Sequence, residues 1–261
     1  MNFGLEARTA LVLGASGGLG SAIAAALGRE GARVALAGRN VAALDRAAAT
    51  VEAAGGKALV LPFDLADLGA IEEAVGKVET ALGPVDILVN NTGGPPPTTA
   101  AGQPIELWEK NFRAMVLSVI AITDRILPGM RARQWGRIIT VTSSGTIAPI
   151  PNLAMSNTLR VALTGWSKTL AREVAQDGIT VNTLVPGRIA TERVAFLDEA
   201  AAKREGIDVD EVRVRARATI PAGRYGRPEE FGDAACFLAS NQASFITGSM
   251  IRVDGGQIPN L

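Results

Sequence analysis

Histidine is absent from the 261-residue chain, and cysteine occurs once, as Cys236. Without histidine there is no Ser-His or Cys-His nucleophile system, and no metal site is expected, zinc least of all. A lone cysteine excludes an internal disulfide. Aromatic residues make up only 4% of the chain against 48% hydrophobic residues in all, so the core must be built from Ala, Val, Leu and Ile, which suits close-packed helices on a parallel sheet. Neither sign of charge predominates, since Lys plus Arg and Asp plus Glu are 26 each. No global positive field exists to attract nucleic acid or an anionic membrane, and a small-molecule partner is expected instead. There is no run of 18 apolar residues and no charged-then-apolar leader at the N-terminus, so no membrane association and a cytoplasmic location are expected. What chemistry remains must use hydroxyls, carboxylates, amides, Lys, Arg or a cofactor.

Glycine is plentiful, at 29 residues, which points to tight turns or close approach to a ligand. Short apolar or β-branched runs alternate with Ala-rich segments of helical period: residues 9–14, 32–38, 57–64, 85–91, 136–144, 179–187 and 249–256. Seven strands separated by helices predict βαβ crossovers and an α/β fold, a doubly wound, Rossmann-like parallel sheet. No linker or repeat breaks the rhythm, so residues 1–261 are expected to form one domain. Residues 192–220 depart from it, with six acidic and five basic residues between Asp198 and Arg217 on two amphipathic helices broken at Gly206. Such mixed charge can be a solvated surface; placed after a strand's carboxyl end, it can also be a substrate lid.

The segment "VLGASGGLGSAIAAALGREGA" follows the first strand and opens a helix. Gly14 permits the sharp turn, Gly18 lets backbone approach a phosphate, and Gly20 lets helix and strand pack closely, with Ser16 and Leu19 in the same loop. The next strand ends "LAGRN", with Arg39 where an acidic residue would bond the adenosine ribose. A guanidinium there suits a 2′-phosphate and favours NADP(H) over NAD(H).

The glycine pattern, "FDL" with Asp64, "NNTG" at 90–93, Asn111 in a long helix, "TSS" at 142–144, "PGRIAT" at 186–191 and "VDGG" at 253–256 stand in the order of the short-chain dehydrogenases/reductases. The chain resembles that family over nearly its whole length, and its C-terminal part resembles the 3-oxoacyl-carrier-protein reductase branch. The resemblance implies that Asp64 and Leu65 contact adenine, that Asn91, Thr92 and Gly93 line the cofactor, and that Pro186, Gly187, Ile189 and Thr191 hold its nicotinamide end. It also implies hydride transfer between nicotinamide and a carbonyl or alcohol, a catalytic role for Ser143 and Asn111, and a homotetramer built partly on the helices of residues 108–130 and 156–175. Local roles compete: Asp64 can cap a helix, Asn91 can close a turn, and Pro186-Gly187 can end a strand.

One departure bears on turnover. Thirteen residues after Ser143, where the family has its tyrosine, stands Ser156; four residues later, in place of lysine, stands Arg160. Helical spacing puts the pair on one face. A serine hydroxyl is a weaker acid than a phenol and shorter in reach, and arginine can bond ribose hydroxyls but cannot relay a proton. Lys168 lies too far along, and the only tyrosine, Tyr225, lies in a loop before the last helix. Asn157 reads as a bystander. Three readings follow: a reductase of altered chemistry using Ser143, Ser156 and Arg160; a dinucleotide-binding sensor or partner subunit without turnover; and, last, non-redox chemistry as in halohydrin dehalogenases, which keep the tyrosine and lose the glycine loop. Arg188, Arg193 and Arg213 are candidate contacts for an anionic substrate.

Overall fold

The five residues Thr9–Leu13 (β1) are all buried, as are all six of Gly136–Val141 (β5), which is what a strand covered by helices on both faces requires. A computed structural model describes residues 2–260. Its other strands are Arg33–Gly38 (β2), Lys57–Pro62 (β3), Ile87–Asn90 (β4), Ile179–Pro186 (β6) and Met250–Val253 (β7), all parallel in one sheet of order β3-β2-β1-β4-β5-β6-β7. Each expected strand is present, and each except β2 stops short of its sequence run at the carboxyl end. The residues left over, Gly14, Asp64, Asn91, Thr142 to Ser144 and Gly187 among them, turn out of the ladder into loops at that edge.

Helices Gly18–Arg29 (α1), Val41–Ala53 (α2) and Pro228–Ala239 (α9) cover one face, sharing a core with Val12, Val34, Val89 and Ile139. The opposite face is covered by Ile71–Leu82 (α3), Ser118–Arg133 (α5) and Ala154–Val174 (α6), which pack on Leu11, Leu13, Leu88 and Ile138. Alternation along β1, with Val12 to one side and Leu11 and Leu13 to the other, is the period-two pattern of a strand buried on both faces.

Asn111 does not lie within one uninterrupted helix. Ile105–Phe112 (α4) meets α5 through a π-helical turn, Arg113–Leu117, and such turns arise where a helix must accommodate an extra residue, often beside a functional site. Met115 and Val116 of that turn pack with Val119 of α5 and with Met155, Leu159 and Leu163 of α6. This stripe, spaced by four residues, orients α6. Residues 192–220 fold as Glu192–Glu205 (α7) and Val209–Ala218 (α8), separated at Gly206, whose φ of +68° ends α7 in the left-handed conformation.

Candidate active site

The sheet order reverses at β1, which pairs with both β2 and β4. In an open parallel sheet the loops diverge at such a point and leave a crevice at the strands' carboxyl ends. A cleft of about 1160 Å³ occupies it, walled by the loops after β1 to β6 and by α7. That volume exceeds the usual small-ligand pocket of roughly 300–1,000 Å³ and leaves room for an extended cofactor beside a substrate.

The glycine loop forms its floor. Gly14 has φ +60°, and a Cβ there would stand 2.5 Å from Asn91 O; a Cβ on Gly20 would stand 2.3 Å from Gly14 O. Gly20 therefore brings α1 directly onto the end of β1. Asn91 Nδ2 donates to Leu13 O and Gly14 O, both at 3.2 Å, so this side chain ties the ends of β4 and β1 together as well as lining the cleft. No side chain caps α1 and no acid occupies its first turn, which leaves backbone N–H groups beside Gly18 and Leu19 at the positive end of the helix dipole.

At the outer end stand Ser16, Arg39, Asp64 and Leu65. A Cβ at Gly38 would stand 3.3 Å from Leu44 and 3.4 Å from Ser16, so a side chain at this strand tip would be closely packed. Asp64 Oδ1 accepts from Ala66 N at 3.0 Å and so stabilises its own turn while lining the cleft. Arg46 on α2 joins Arg39 here, and neither carries an ion pair among the described residues. Arg46 was not found from the sequence; its one signal is its place in the second turn of the helix that follows Arg39.

The inner end collects Thr92, Gly93, Asn111, Ser143, Ser156 and Arg160. Ser143 Oγ accepts from Gly145 N at 3.1 Å, which orients its hydroxyl at the start of a tight turn. Asn111 Nδ2 donates to Leu107 O at 2.8 Å within α4. Ser156 is 8% exposed and its hydroxyl has no hydrogen-bond partner among the described residues. Arg160, 7% exposed, donates from Nη1 to Val141 O at 3.0 Å and from Nη2 to Thr92 O at 3.2 Å, with no carboxylate partner among the described residues. Burial, and then repulsion from Arg193, push its pKa down to about 10. The Thr92 and Thr142 hydroxyls are buried without partners at the same end.

Asn157 is not a bystander. Its Nδ2 donates to Ile150 O at 3.0 Å, and a Cβ on Gly145 would stand 2.2 Å from its Oδ1, so it packs against the loop that carries Ser143 and fixes it.

Pro186, Gly187, Ile189 and Thr191 wall the cleft after β6. Gly187 is squeezed against Asp254, where a Cβ would stand 2.7 Å from Asp254 Cα. Ile189 buries its side chain in the core. Thr191 Oγ1 accepts from Val194 N at 3.4 Å as the cap of α7. The three arginines proposed to meet an anion separate. Arg188 pairs with buried Asp198, which also accepts from Tyr225 OH at 2.9 Å; Arg213 pairs with Asp210 at 2.8 Å outside the cleft; of the three, only Arg193 enters it without an ion pair among the described residues. Tyr225 does not line the cleft, and burial together with its bond to Asp198 raises its pKa. Lys168 is engaged elsewhere, donating to Gly248 O at 2.8 Å.

The chain carries no net charge, but the cleft is lined by Arg39, Arg46, Lys110, Arg160, Arg188, Arg193 and Arg204 against Asp64 and Glu192, with Arg188 and Arg204 paired to Asp198 and Glu205 outside that lining. Lys110, Arg193 and Arg204 project from helices whose sequence reads as ordinary charged surface. Among the described residues no helix is long and apolar enough to cross a membrane, and no three His, Cys, Asp or Glu side chains are grouped to hold a metal.

Comparison with known proteins agrees with this geometry. The family model described as enoyl-(acyl carrier protein) reductase matches residues 14–257. The chain is 36% identical to the 3-oxoacyl-[acyl-carrier-protein] reductase FabG of Escherichia coli, with 98% of both chains covered. It is also 36% identical to the acetoacetyl-CoA reductase of Shinella zoogloeoides, over 96% of this chain and 98% of that one. The crystal structure of L-sorbose reductase from Gluconobacter frateurii, complexed with NADPH and L-sorbose, superposes with a TM-score of 0.93 at 33% identity over the whole of both chains. With the reversal of strand order, the glycine loop at β1 and the grouping of Ser143, Ser156 and Arg160 already described, these matches make the chain a member of the short-chain dehydrogenase/reductase family of NAD(P)-dependent oxidoreductases.

Proposed function

We propose that the protein is an NADP(H)-dependent reductase of a small ketone or 3-oxoacyl thioester, working with Ser156 and Arg160 where its relatives use tyrosine and lysine. The observation that carries the cofactor preference is the unpaired Arg39 and Arg46 at the outer end of the cleft, two guanidiniums suited to a 2′-phosphate. The cradle fits a dinucleotide: Gly17 and Gly93 line it, and a Cβ on either would meet nothing within 4 Å, which leaves backbone surface open to a ligand. The N–H groups at the start of α1 would hold the diphosphate, and Thr92, Gly93, Gly187 and Thr191 would enclose the nicotinamide end.

When bound, NADP(H) supplies the hydride. The chain's own task is to hold the carbonyl and to manage the charge that grows on its oxygen. Ser143 and Ser156 present hydroxyl donors for that oxygen, and Arg160, locked by two backbone carbonyls, lends positive charge with guanidinium N–H groups to spare for ribose hydroxyls. The proton on the product oxygen comes from solvent through the serine hydroxyls, because neither serine nor arginine is a net acid at neutral pH. The loss of a positioned general acid typically costs about 10²- to 10⁴-fold in rate, so turnover is slow.

The chain is read as one domain in which α7 and α8 cover the substrate. Exposed Ile105, Phe112, Leu117 and Val161 on α4, the π-helical turn and α6 support pairing into a homotetramer.

Fluorescence titration with NADPH and NADH, followed by cofactor oxidation across ketones, quinones and 3-oxoacyl thioesters, tests the reading. Tighter NADPH binding and oxidation with at least one carbonyl are expected. Binding without oxidation across the panel would favour a cofactor-binding protein without turnover, and failure to bind either nucleotide would overturn the cofactor assignment.

A further inference from the structure

Arg193 stands in the first turn of α7 and points back across the mouth of the cleft, where Nη2 donates to Pro95 O at 2.7 Å. A Cβ on Gly94 would stand 3.0 Å from its Nη2 and 3.2 Å from its Cζ, so the guanidinium lies against the backbone there. The other end of the same short stretch, Thr92 O, accepts from Arg160 at 3.2 Å. Residues 92–95 therefore run between two guanidiniums. Both bond only to backbone carbonyls, and neither has a carboxylate within ion-pair distance among the described residues. Like charges held in a partly buried site without a counter-ion are unfavourable until an anion arrives. Burial lowers the pKa of both arginines, and repulsion from Arg193 adds to the lowering at Arg160. A second observation points the same way: the Thr92 hydroxyl, 6% exposed, lines the cleft with no partner.

Position separates the two anions that chemistry of this kind would accept, the cofactor's diphosphate and a charged group on the substrate. The diphosphate has the start of α1. Pro95 lies further along the loop, between Gly93 and Thr98, and Thr98 bridges to Leu153. This part of the cleft is walled by Pro97, Ile150 and Leu153, an apolar end with room for a substrate body.

We propose that Arg193 determines specificity by binding a carboxylate on the substrate, with Arg160 supplying the second positive charge across residues 92–95. The substrate class is thus an oxo acid. The proposal rests on the reductase reading of the cleft, and its test separates the two. Protein loaded with NADP+, which holds no hydride to transfer, is titrated calorimetrically with matched 2-oxo and 3-oxo acids, their methyl esters and their amides. At least one acid should bind about tenfold or more tighter than its ester, the range of a charge-assisted hydrogen bond. Arg193→Gln should abolish that preference without changing NADP+ affinity, and Arg193→Lys should restore part of it. In steady state, Arg193→Gln should raise KM for the acid with kcat within a few-fold, and leave KM for the ester unchanged.

No preference for the acid in any pair overturns the proposal, as does an equal loss for acid and ester in Arg193→Gln. Weaker NADP+ binding in that variant with the acid preference intact assigns Arg193 to the cofactor's diphosphate and also overturns it. Wild-type protein that fails to bind NADP+ sinks the reductase reading instead, and the same acid and ester titrations on cofactor-free protein then decide the anion site by itself.

Discussion

Arg160 Nη2 donates to the carbonyl oxygen of Thr92 at 3.2 Å, joining the middle of α6 to the loop after β4. With the companion bond to Val141 O, the residue in the lysine's place braces two strand ends.

Restoring the family pair tests the chemistry, although Arg160→Lys also gives up part of this brace. Ser156 lines the cleft, so a larger side chain there has open space to enter. The double variant Ser156→Tyr/Arg160→Lys is expected to raise carbonyl-dependent NADPH oxidation by about 10²-fold or more, because a phenol of reference pKa about 10 becomes a usable acid beside an ammonium. Unchanged activity in a folded double variant that still binds NADPH would show that the substrate is held in another pose.

Arg39 and Arg46 give the second expectation. Among the described residues neither is tied into the fold by an ion pair, so their loss is expected to leave stability within about 0.5 kcal/mol, as for ordinary surface positions. Arg39→Asp is expected to weaken NADPH binding by roughly 10- to 100-fold, the value of a charge-assisted hydrogen bond, and to leave NADH binding nearly level. Arg46→Ala should act in the same direction and more weakly. Fluorescence titration with both nucleotides reads each effect; equal losses for the two would remove the 2′-phosphate from the argument.

The strand runs carried the edge of the site along with the sheet. In the runs ending at Gly14, Asp64, Asn91, Ser144 and Gly187, the last residues were legible because they are apolar or β-branched up to the edge and small or polar beyond it, and these are the residues that wall the cleft. Ser143, Ser156 and Arg160 were legible by spacing alone. Asn157 was misread because its role depends on touching Gly145, twelve residues earlier on a loop whose path no periodicity fixes. Arg193 could not be told from Arg188 and Arg213 for a related reason. Arg193 and Arg213 lie in the charged segment and Arg188 just before it, and only the folded chain gives Arg188 and Arg213 carboxylates.

Gly20→Ala asks whether the glycine loop is needed for the cofactor. A methyl group would stand 2.3 Å from Gly14 O and 2.9 Å from Asn91 Nδ2, so α1 must move off β1 or the loop must open. Overpacking of this kind typically costs about 1–3 kcal/mol. The protein is expected to remain folded by circular dichroism, with NADPH affinity reduced by tenfold or more. A variant that binds NADPH as tightly as wild type would mean that the contact between α1 and the loop does not shape the binding site.

Cys236 provides a pH expectation. Burial on α9 pushes its thiol up to about 12, so the native thiol stays protonated where an unfolded one ionises. A pKa raised in the folded state contributes stability that is fully present below the unfolded value of about 8.5 and fades as pH climbs toward 12. Native protein at pH 8 is expected to resist iodoacetamide and to react once unfolded in urea. Cys236→Ala should flatten the fall in urea midpoint between pH 9 and 11 relative to wild type. A native thiol alkylated at the rate of a free one at pH 8 would contradict its burial.

The attachment of α7 is the most exposed part of the proposed function to mutation, because that helix carries Arg193. Asp198, 1% exposed, accepts from Arg188 and from Tyr225 OH at 2.9 Å, and so ties α7 to the loop after β6 and to the loop before α9. Breaking a buried ion pair costs about 3–5 kcal/mol, but the Arg188 side chain is 34% exposed, so solvent absorbs part of the loss and Asp198→Asn is expected to cost about 1–3 kcal/mol. Tyr225→Phe removes one hydrogen bond and should cost about 1 kcal/mol. Both variants should expose α7 amides to faster hydrogen exchange and leave the amides of β1 and α1 protected, since the disturbed contacts lie on the other side of the cleft. If Arg193 works from a helix held in this way, Asp198→Asn should also raise KM for the preferred acid while NADPH affinity stays level. Unaltered α7 exchange in Asp198→Asn would leave the helix held by its apolar contacts alone and remove the network from any account of substrate binding.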